Sequence, residues 1–92
     1  MPTFLITANW TEQGIVPKRD AAARKAAKKL GVEIKQIYLT SGESDILAIV
    51  ESASGDNVAK LCMAIGAQGN VRTRTVRAWS EAEYTKLIAA LP

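Results

Sequence analysis

The stretch that most constrains the fold is Thr40–Glu51, which reads TSGESDILAIVE. It opens with the turn formers Ser41 and Gly42 and continues into Ile46–Val50, a run of apolar residues rich in β-branched types. Such a run predicts a strand that is buried on both faces. The preceding segment, Val32–Thr40, is also strand-like, and two strands joined by a short glycine-containing turn form a hairpin. The sequence therefore predicts a β-hairpin in the middle of the chain.

The flanking segments alternate between strand and helix patterns. We expect a strand at Thr3–Asn9, a helix at Pro17–Leu30 that ends at Gly31, a helix from Ser54 or Asp56 to about Ile65, a strand at Val71–Ala78 and a C-terminal helix. In the second helix the apolar residues follow the i, i+3, i+4, i+7 spacing of one helix face; they are Val58, Leu61, Cys62 and Ile65. Ser80 and Glu83 have the spacing of a capping box, which predicts where the last helix begins.

The resulting order, β-α-β-β-α-β followed by a helix, is that of an α+β fold. With right-handed crossovers it predicts the ferredoxin-like antiparallel sheet, in spatial order 4-1-3-2, with two helices on one face. No linker or repeat interrupts the sequence, so we expect residues 1–92 to form a single domain.

The other face of this sheet needs a cover of its own. Along the third strand, Leu47 and Ile49 alternate with Ile46, Ala48 and Val50, so whichever set faces the helices leaves an apolar set uncovered. An exposed apolar face usually marks an interface. The simplest partner is a second copy of the chain, packed sheet to sheet about a two-fold axis. We therefore predict a homodimer or larger homo-oligomer.

Composition excludes several classes of function. The chain has no histidine, so the commonest metal ligand and general base are missing, and we expect neither a metal nor a cofactor. Its single cysteine fits a reducing cytoplasm, and no apolar run is long enough to span a bilayer. The first helix is basic, but it has no aromatic residue for base stacking and the net charge is only +3. We expect neither a nucleic-acid nor a membrane partner.

Polar side chains from distant parts of the sequence meet at one rim of the predicted sheet. In the 4-1-3-2 order, strands 3 and 4 begin where strand 1 ends, so the rim gathers Asn9, Trp10, Asp45, Asn70 and Arg72. An indole, a guanidinium, a carboxylate and two amides are suited to hold a small polar or aromatic molecule. The alternative is structural, because turn residues cluster at strand ends in any sheet.

Two arginines share one face of the fourth strand. Arginine side chains are rarely buried without paired acids, so we expect Arg72 and Arg74 on the open face or at its margin and not beneath the helices. As planar donors they could bind a carboxylate or phosphate between the two sheets of such a dimer. The alternative is a salt bridge to Glu12, Glu43 or Glu51 of a second copy of the chain.

The turn Gly42–Asp45 resembles the signature of the GYD domain family, which is named for a Gly-x-Tyr-Asp motif at this hairpin. The stretches Ala8–Gly14, Ala64–Thr73 and Thr75–Glu81 support the resemblance, and Ser44 stands where the family has tyrosine. The family is similar to the dimeric α/β-barrel superfamily, which includes small monooxygenases, haem-binding enzymes and amino-acid-sensing regulatory domains. The resemblance implies this fold and a dimer, and it brings no established activity.

Three functions remain open from the sequence. The first is a small oligomeric domain that binds a small polar or aromatic molecule at the sheet rim or in the barrel interior. The second is a cofactor-independent oxygenase or isomerase, favoured by the aromatic residues Trp10, Trp79 and Tyr84. The third is a purely structural interaction module. A carboxylate beside an arginine, here Asp45 and Arg72, is a poor general base near neutral pH, so the residues favour binding over catalysis.

Overall fold

Helices and strands follow one another in the predicted order through the part of the chain that the structure describes. The computed structural model covers residues 1–10, 17–67 and 71–92, and for Trp10 and residues 17–22 it describes the backbone only. The elements are β1 (Thr3–Trp10), α1 (Pro17–Lys29), β2 (Glu33–Leu39), β3 (Ile46–Glu51), α2 (Gly55–Gly66), β4 (Val71–Ala78) and α3 (Glu81–Ala89).

The described strands form one antiparallel sheet in the order β2-β3-β1-β4. This is the predicted 4-1-3-2 order seen from the opposite edge, so the ferredoxin-like arrangement is confirmed. The predicted hairpin is β2-β3, and the amide of Thr40 closes it by donating to the carbonyl oxygen of Asp45 over 2.9 Å.

The core lies between one face of the sheet and the helices α1 and α2. Its buried residues are Ile6, Ala27, Val32, Val50, Val58 and Leu61. Cys62 and Ile65 pack against this cluster, so the apolar face predicted for α2 is confirmed. Ala27 is only 1% exposed, because a methyl side chain lets α1 approach the core closely.

A β-bulge at Lys35 changes which β2 side chains face the core. Ile34 lies opposite Val50 and Gln36 lies opposite Ile49, so Lys35 is the extra residue. Beyond the bulge the alternation is shifted by one residue. Ile37 therefore lies on the helix side of the sheet, together with Leu39, and Tyr38 lies on the other side.

Three local predictions are corrected or refined. Trp10 is the last residue of β1 and does not belong to the following loop. Ser54 occupies the N-cap position of α2, but its side chain makes no capping hydrogen bond. Val32 precedes β2 and is buried in the core. The loop predicted for residues 11–14 and the turn predicted for residues 68–70 lie outside the described residues.

Candidate functional site

The sheet face turned away from α1 and α2, which we call the open face, is apolar at its centre. The register places Leu47 and Ile49 on it, while Ile46, Ala48 and Val50 face the helices. This decides the alternative that the sequence left open. The other apolar members of the open face come from the remaining three strands; they are Leu5, Tyr38 and Val76. Val76 is 58% exposed and Tyr38 46% exposed, so nothing in the described part of the single chain covers this face.

The predicted rim forms at the end of the sheet where β1 finishes. Asn9 lies opposite Arg72 in the β1-β4 register, and its Oδ1 accepts a hydrogen bond of 3.1 Å from the amide of Asp45. The same amide donates to the carbonyl oxygen of Ala8 over 2.9 Å. The structure therefore brings Asn9, Asp45 and Arg72 to one rim. Trp10 ends β1 at this rim, although its side chain lies outside the described part of the structure, as does the whole of Asn70.

Arg72 and Arg74 both lie on the open face, as their shared parity predicts. Arg74 is opposite Thr7 on β1, and both arginines are exposed. They make the β4 corner of the open face basic. The two arginines are two residues apart on one strand, so their Cα atoms are separated by about 6.6 Å. Their planar guanidinium groups can bind a carboxylate in a bidentate manner. The described geometry is compatible with a small anion at this corner.

The diagonally opposite corner of the open face carries acidic residues held by a lysine. Lys35 Nζ lies 3.1 Å from Glu33 Oε1 and 3.3 Å from Glu51 Oε2. The hydrogen bond to Glu33, followed by the one to Glu51, raises the pKa of Lys35 above its usual range. Glu51, one of the acids predicted to pair with an arginine of a second copy, thus already has a cationic neighbour in its own chain. Of the other two, Glu43 is exposed in the β2-β3 turn and Glu12 lies outside the described residues.

A third arginine, which sequence reasoning did not single out, anchors the end of β4. Arg77 lies on the helix side of the sheet, with its guanidinium 5.6 Å from the ring centroid of Phe4 and 4.7 Å from that of Trp79. Its Nη1 donates to the carbonyl oxygen of Thr3 over 3.0 Å, and its Nη2 lies 3.8 Å from Glu83 Oε2. The sequence contained one signal for this position. Side chains alternate between the two faces along a strand, so Arg77 must lie on the face opposite to Arg72 and Arg74.

A groove of about 450 Å³ lies elsewhere, between α1 and β2. It contains none of the predicted site residues and is lined by Arg24, Ala27, Lys28, Gly31, Val32, Glu33 and Ile34. Within the described residues, no group of three or more histidine, cysteine or acidic side chains is placed to hold a metal ion. None of the described helices has the length and apolar character needed to cross a membrane.

Comparison with known proteins gives one family and one fold. The profile of the family described as GYD domain matches residues 4–88. No curated protein sequence matches the chain significantly.

Several solved structures share the fold. LrpC of Bacillus subtilis is 14% identical with a TM-score of 0.64, and the match covers 87% of this chain and 51% of that one. A feast or famine regulatory protein of Mycobacterium tuberculosis, solved in complex with L-methionine, is 20% identical with a TM-score of 0.55, and the match covers 88% of this chain and 54% of that one. The chain thus spans about half the length of these two proteins.

A protein of Thermus thermophilus, TTHA0845, is similar over nearly its whole length. It is 21% identical with a TM-score of 0.59, and the match covers 87% of this chain and 95% of that one. At such identities the likeness concerns the fold alone. These structures support the ferredoxin-like architecture derived from the sheet order.

Proposed function

The chain belongs to the GYD domain family, and from this premise we propose that it is a small homo-oligomeric domain that binds a small carboxylate-bearing molecule at the basic corner of its open face. The observation that carries the proposal is the composition of that face. An apolar centre around Leu47 and Ile49 borders a rim with Asn9, Arg72 and Arg74. The apolar centre suits a second copy of the chain, and the rim suits an anion.

The homodimer follows from the cost of leaving this face in water. Leu47 and Ile49 lie on the central strand β3, with Leu5 beside them on β1. Removing such side chains from water contributes about 25 cal/mol per Å² of apolar area. A second copy supplies a matching surface automatically, since a two-fold axis pairs the face with itself.

The ligand proposal rests on the chemistry of the rim. Arg72 and Arg74 present planar donors beside the amide of Asn9, and apolar residues adjoin them on the same face. A carboxylate attached to an apolar or aromatic group would match both the polar rim and the apolar residues beside it. L-Methionine is a reasonable first probe, because it has this chemistry and is bound by a regulatory protein of the same fold.

The test is a ligand titration monitored by thermal unfolding and isothermal calorimetry. L-Methionine, L-phenylalanine and benzoate serve as probes, against the variants Arg72→Gln and Arg74→Gln. Lys25→Gln is the matched control, because it removes one positive charge from the exposed side of α1. We expect at least one probe to stabilise the wild type and the control, and to lose most of its effect in the arginine variants. Equal stabilisation of all variants would contradict the site.

The same titration also tests the two alternative functions, a cofactor-independent oxygenase or isomerase and a purely structural interaction module. Binders are also assayed for oxygen uptake and product formation after metal chelation. Turnover that disappears in Asp45→Asn would establish the oxygenase or isomerase in place of the binding domain. A stable oligomer whose melting temperature does not change with any carboxylate probe would support the purely structural interaction module.

Three further features of the proposal come from the sequence. We place the protein in the cytoplasm, because a single cysteine fits a reducing compartment. We treat residues 1–92 as one domain. We assign it neither nucleic acid nor membrane as a partner, since the net charge is mild.

A further inference from the structure

The C-terminal helix α3 has an apolar stripe that the described part of its own chain leaves exposed. The stripe follows the i, i+3, i+4 spacing of one helix face, and no residue of α3 is buried. Its members are Tyr84 (46% exposed), Leu87 (53%) and Ile88 (58%), and Leu91 (69%) is exposed just beyond the end of the helix. An amphipathic helix with its apolar side in water lacks the packing that stabilises helices in folded proteins.

The start of this helix is nevertheless firmly fixed to the sheet. Ser80 Oγ accepts from the amide of Glu83 over 3.2 Å, and Glu83 Oε1 accepts from the amide of Ser80 over 3.0 Å. Arg77 holds the same region through its contacts with Trp79 and Glu83. The stripe is therefore presented from a defined position at the end of β4.

The dimensions of the chain agree with a projecting helix. The radius of gyration is 14.3 Å. A compact chain of this length would have a radius of gyration of roughly 12 Å. The longest principal extent is 49 Å and the shortest is 18 Å. Within the residues that the structure describes, the isolated chain thus exposes the open face and the stripe on α3 as apolar surfaces.

The area of the open face points to the partner of the stripe. A four-stranded sheet with strands of up to eight residues presents on the order of 500 Å² in projection. A standard stable interface buries about 800 Å² on each partner. An interface that extends beyond the edge of the sheet buries more area than the sheet alone, and α3, which begins three residues after β4 ends at Ala78, is the apolar surface that follows the sheet in the chain.

Charge argues against a membrane as the alternative partner. Helices that lie on membrane surfaces are rich in lysine and arginine on their polar side. In α3 the acidic residues Glu81 and Glu83 outnumber the basic Lys86, which leaves a net charge of −1. Such a helix is repelled by an anionic bilayer.

We propose that α3 is an intersubunit arm whose stripe packs on a second copy of this chain, at the margin of the sheet-to-sheet contact. This inference rests on the proposed homo-oligomer and extends its interface beyond the sheet. Because α3 has no buried residue in its own chain, losing the arm contact should weaken association without unfolding the subunit.

The experiment compares two neighbouring substitutions in the full chain. Ile88→Asp places a carboxylate in the stripe, whereas Ala89→Asp places the same group one residue later, outside the stripe, at nearly the same position in the helix dipole. Sedimentation velocity over a dilution series gives the dimer Kd. We expect Ile88→Asp to raise it by at least about 100-fold, and Ala89→Asp to change it by less than about threefold.

Leu47→Lys, on the open face, separates failure of the arm from failure of the dimer. An unchanged Kd in Ile88→Asp with a monomeric Leu47→Lys would overturn the arm and keep the dimer. Unchanged dimers in both variants would overturn both proposals. A drop in melting temperature of Ile88→Asp that does not depend on protein concentration would show that α3 docks on its own chain, which also overturns the arm. Hydrogen exchange of the α3 amides adds a second readout. Their protection should rise with total protein concentration, because a larger fraction of the chains is then dimeric.

Discussion

The Leu47→Lys substitution is the sharpest probe of the open face. Leu47 lies on the central strand β3, opposite Thr7 on β1 and Tyr38 on β2, so a lysine there points into the middle of the proposed interface. Leu47 is already partly buried in the single chain, so the dimer can bury only the remaining part of its side chain. That part contributes about 1 kcal/mol from each copy, or about 2 kcal/mol for a two-fold dimer. This corresponds to a dimer Kd raised by about 30-fold, before the larger cost of burying the ammonium is added.

Light scattering coupled to size exclusion, at micromolar protein, measures this effect directly. We expect a dimer or larger oligomer for the wild type and a monomer for Leu47→Lys, with Ile49→Lys behaving alike because it shares the face. Met63→Lys is the matched control, since Met63 is 66% exposed on α2 and outside its apolar stripe. A Leu47→Lys protein that stays folded and dimeric with wild-type affinity would refute the reasoning, as would a wild type that is monomeric with normal stability.

Three further outcomes concern stability. Arg77→Ala should lower the free energy of unfolding in urea by about 1–3 kcal/mol, because stacking on Phe4 and a part-buried hydrogen bond are lost, and Arg77→Lys should recover only part of it. Ala27→Leu should cost about 1–3 kcal/mol by overpacking a site that is 1% exposed, which the same titration checks; no loss would mean that the core beneath α1 has room. The hydrogen bond from the backbone amide of Ser80 lowers the pKa of Glu83, so its contribution is present above the usual pKa and is lost as pH falls through the lowered value. The protection factors of the α3 amides, which are exchange rates corrected for the intrinsic effect of pH, should therefore fall on acidification below pH ~4.5 in the wild type and respond less in Glu83→Gln. Identical pH profiles of the protection factors would contradict this role.

Much of the fold can be read from local sequence. The turn formers after Thr40 and the apolar run Ile46–Val50 determine a hairpin because they act within a few residues of one another. The same holds for the capping box, whose two hydrogen bonds join Ser80 and Glu83 within one helical turn. The order of the elements then restricts the sheet to one arrangement, since crossovers are right-handed.

The candidate site could be predicted only in part. Asn9, Asp45 and Arg72 follow from the strand order, because residues at the ends of neighbouring strands meet at one rim. Arg77 was missed, because its role depends on Phe4, which is distant in sequence, and on the position of Trp79 beyond the strand end. Parity along β4 assigns Arg77 only to the helix side of the sheet, and the contacts that give it a role there leave no local pattern in the sequence.

The tertiary structure alone decided which side chains form the open face. Both alternating sets of β3 are apolar, so periodicity could not distinguish Leu47 and Ile49 from their neighbours, and only packing against α1 and α2 separates them. The bulge at Lys35 likewise moves Tyr38 to the open face, and a bulge is stabilised by its partner strand. The sequence by itself thus determined the elements and their order, where interactions are local. Which faces they bury depends on contacts between residues far apart in the chain, so only the assembled sheet could settle it.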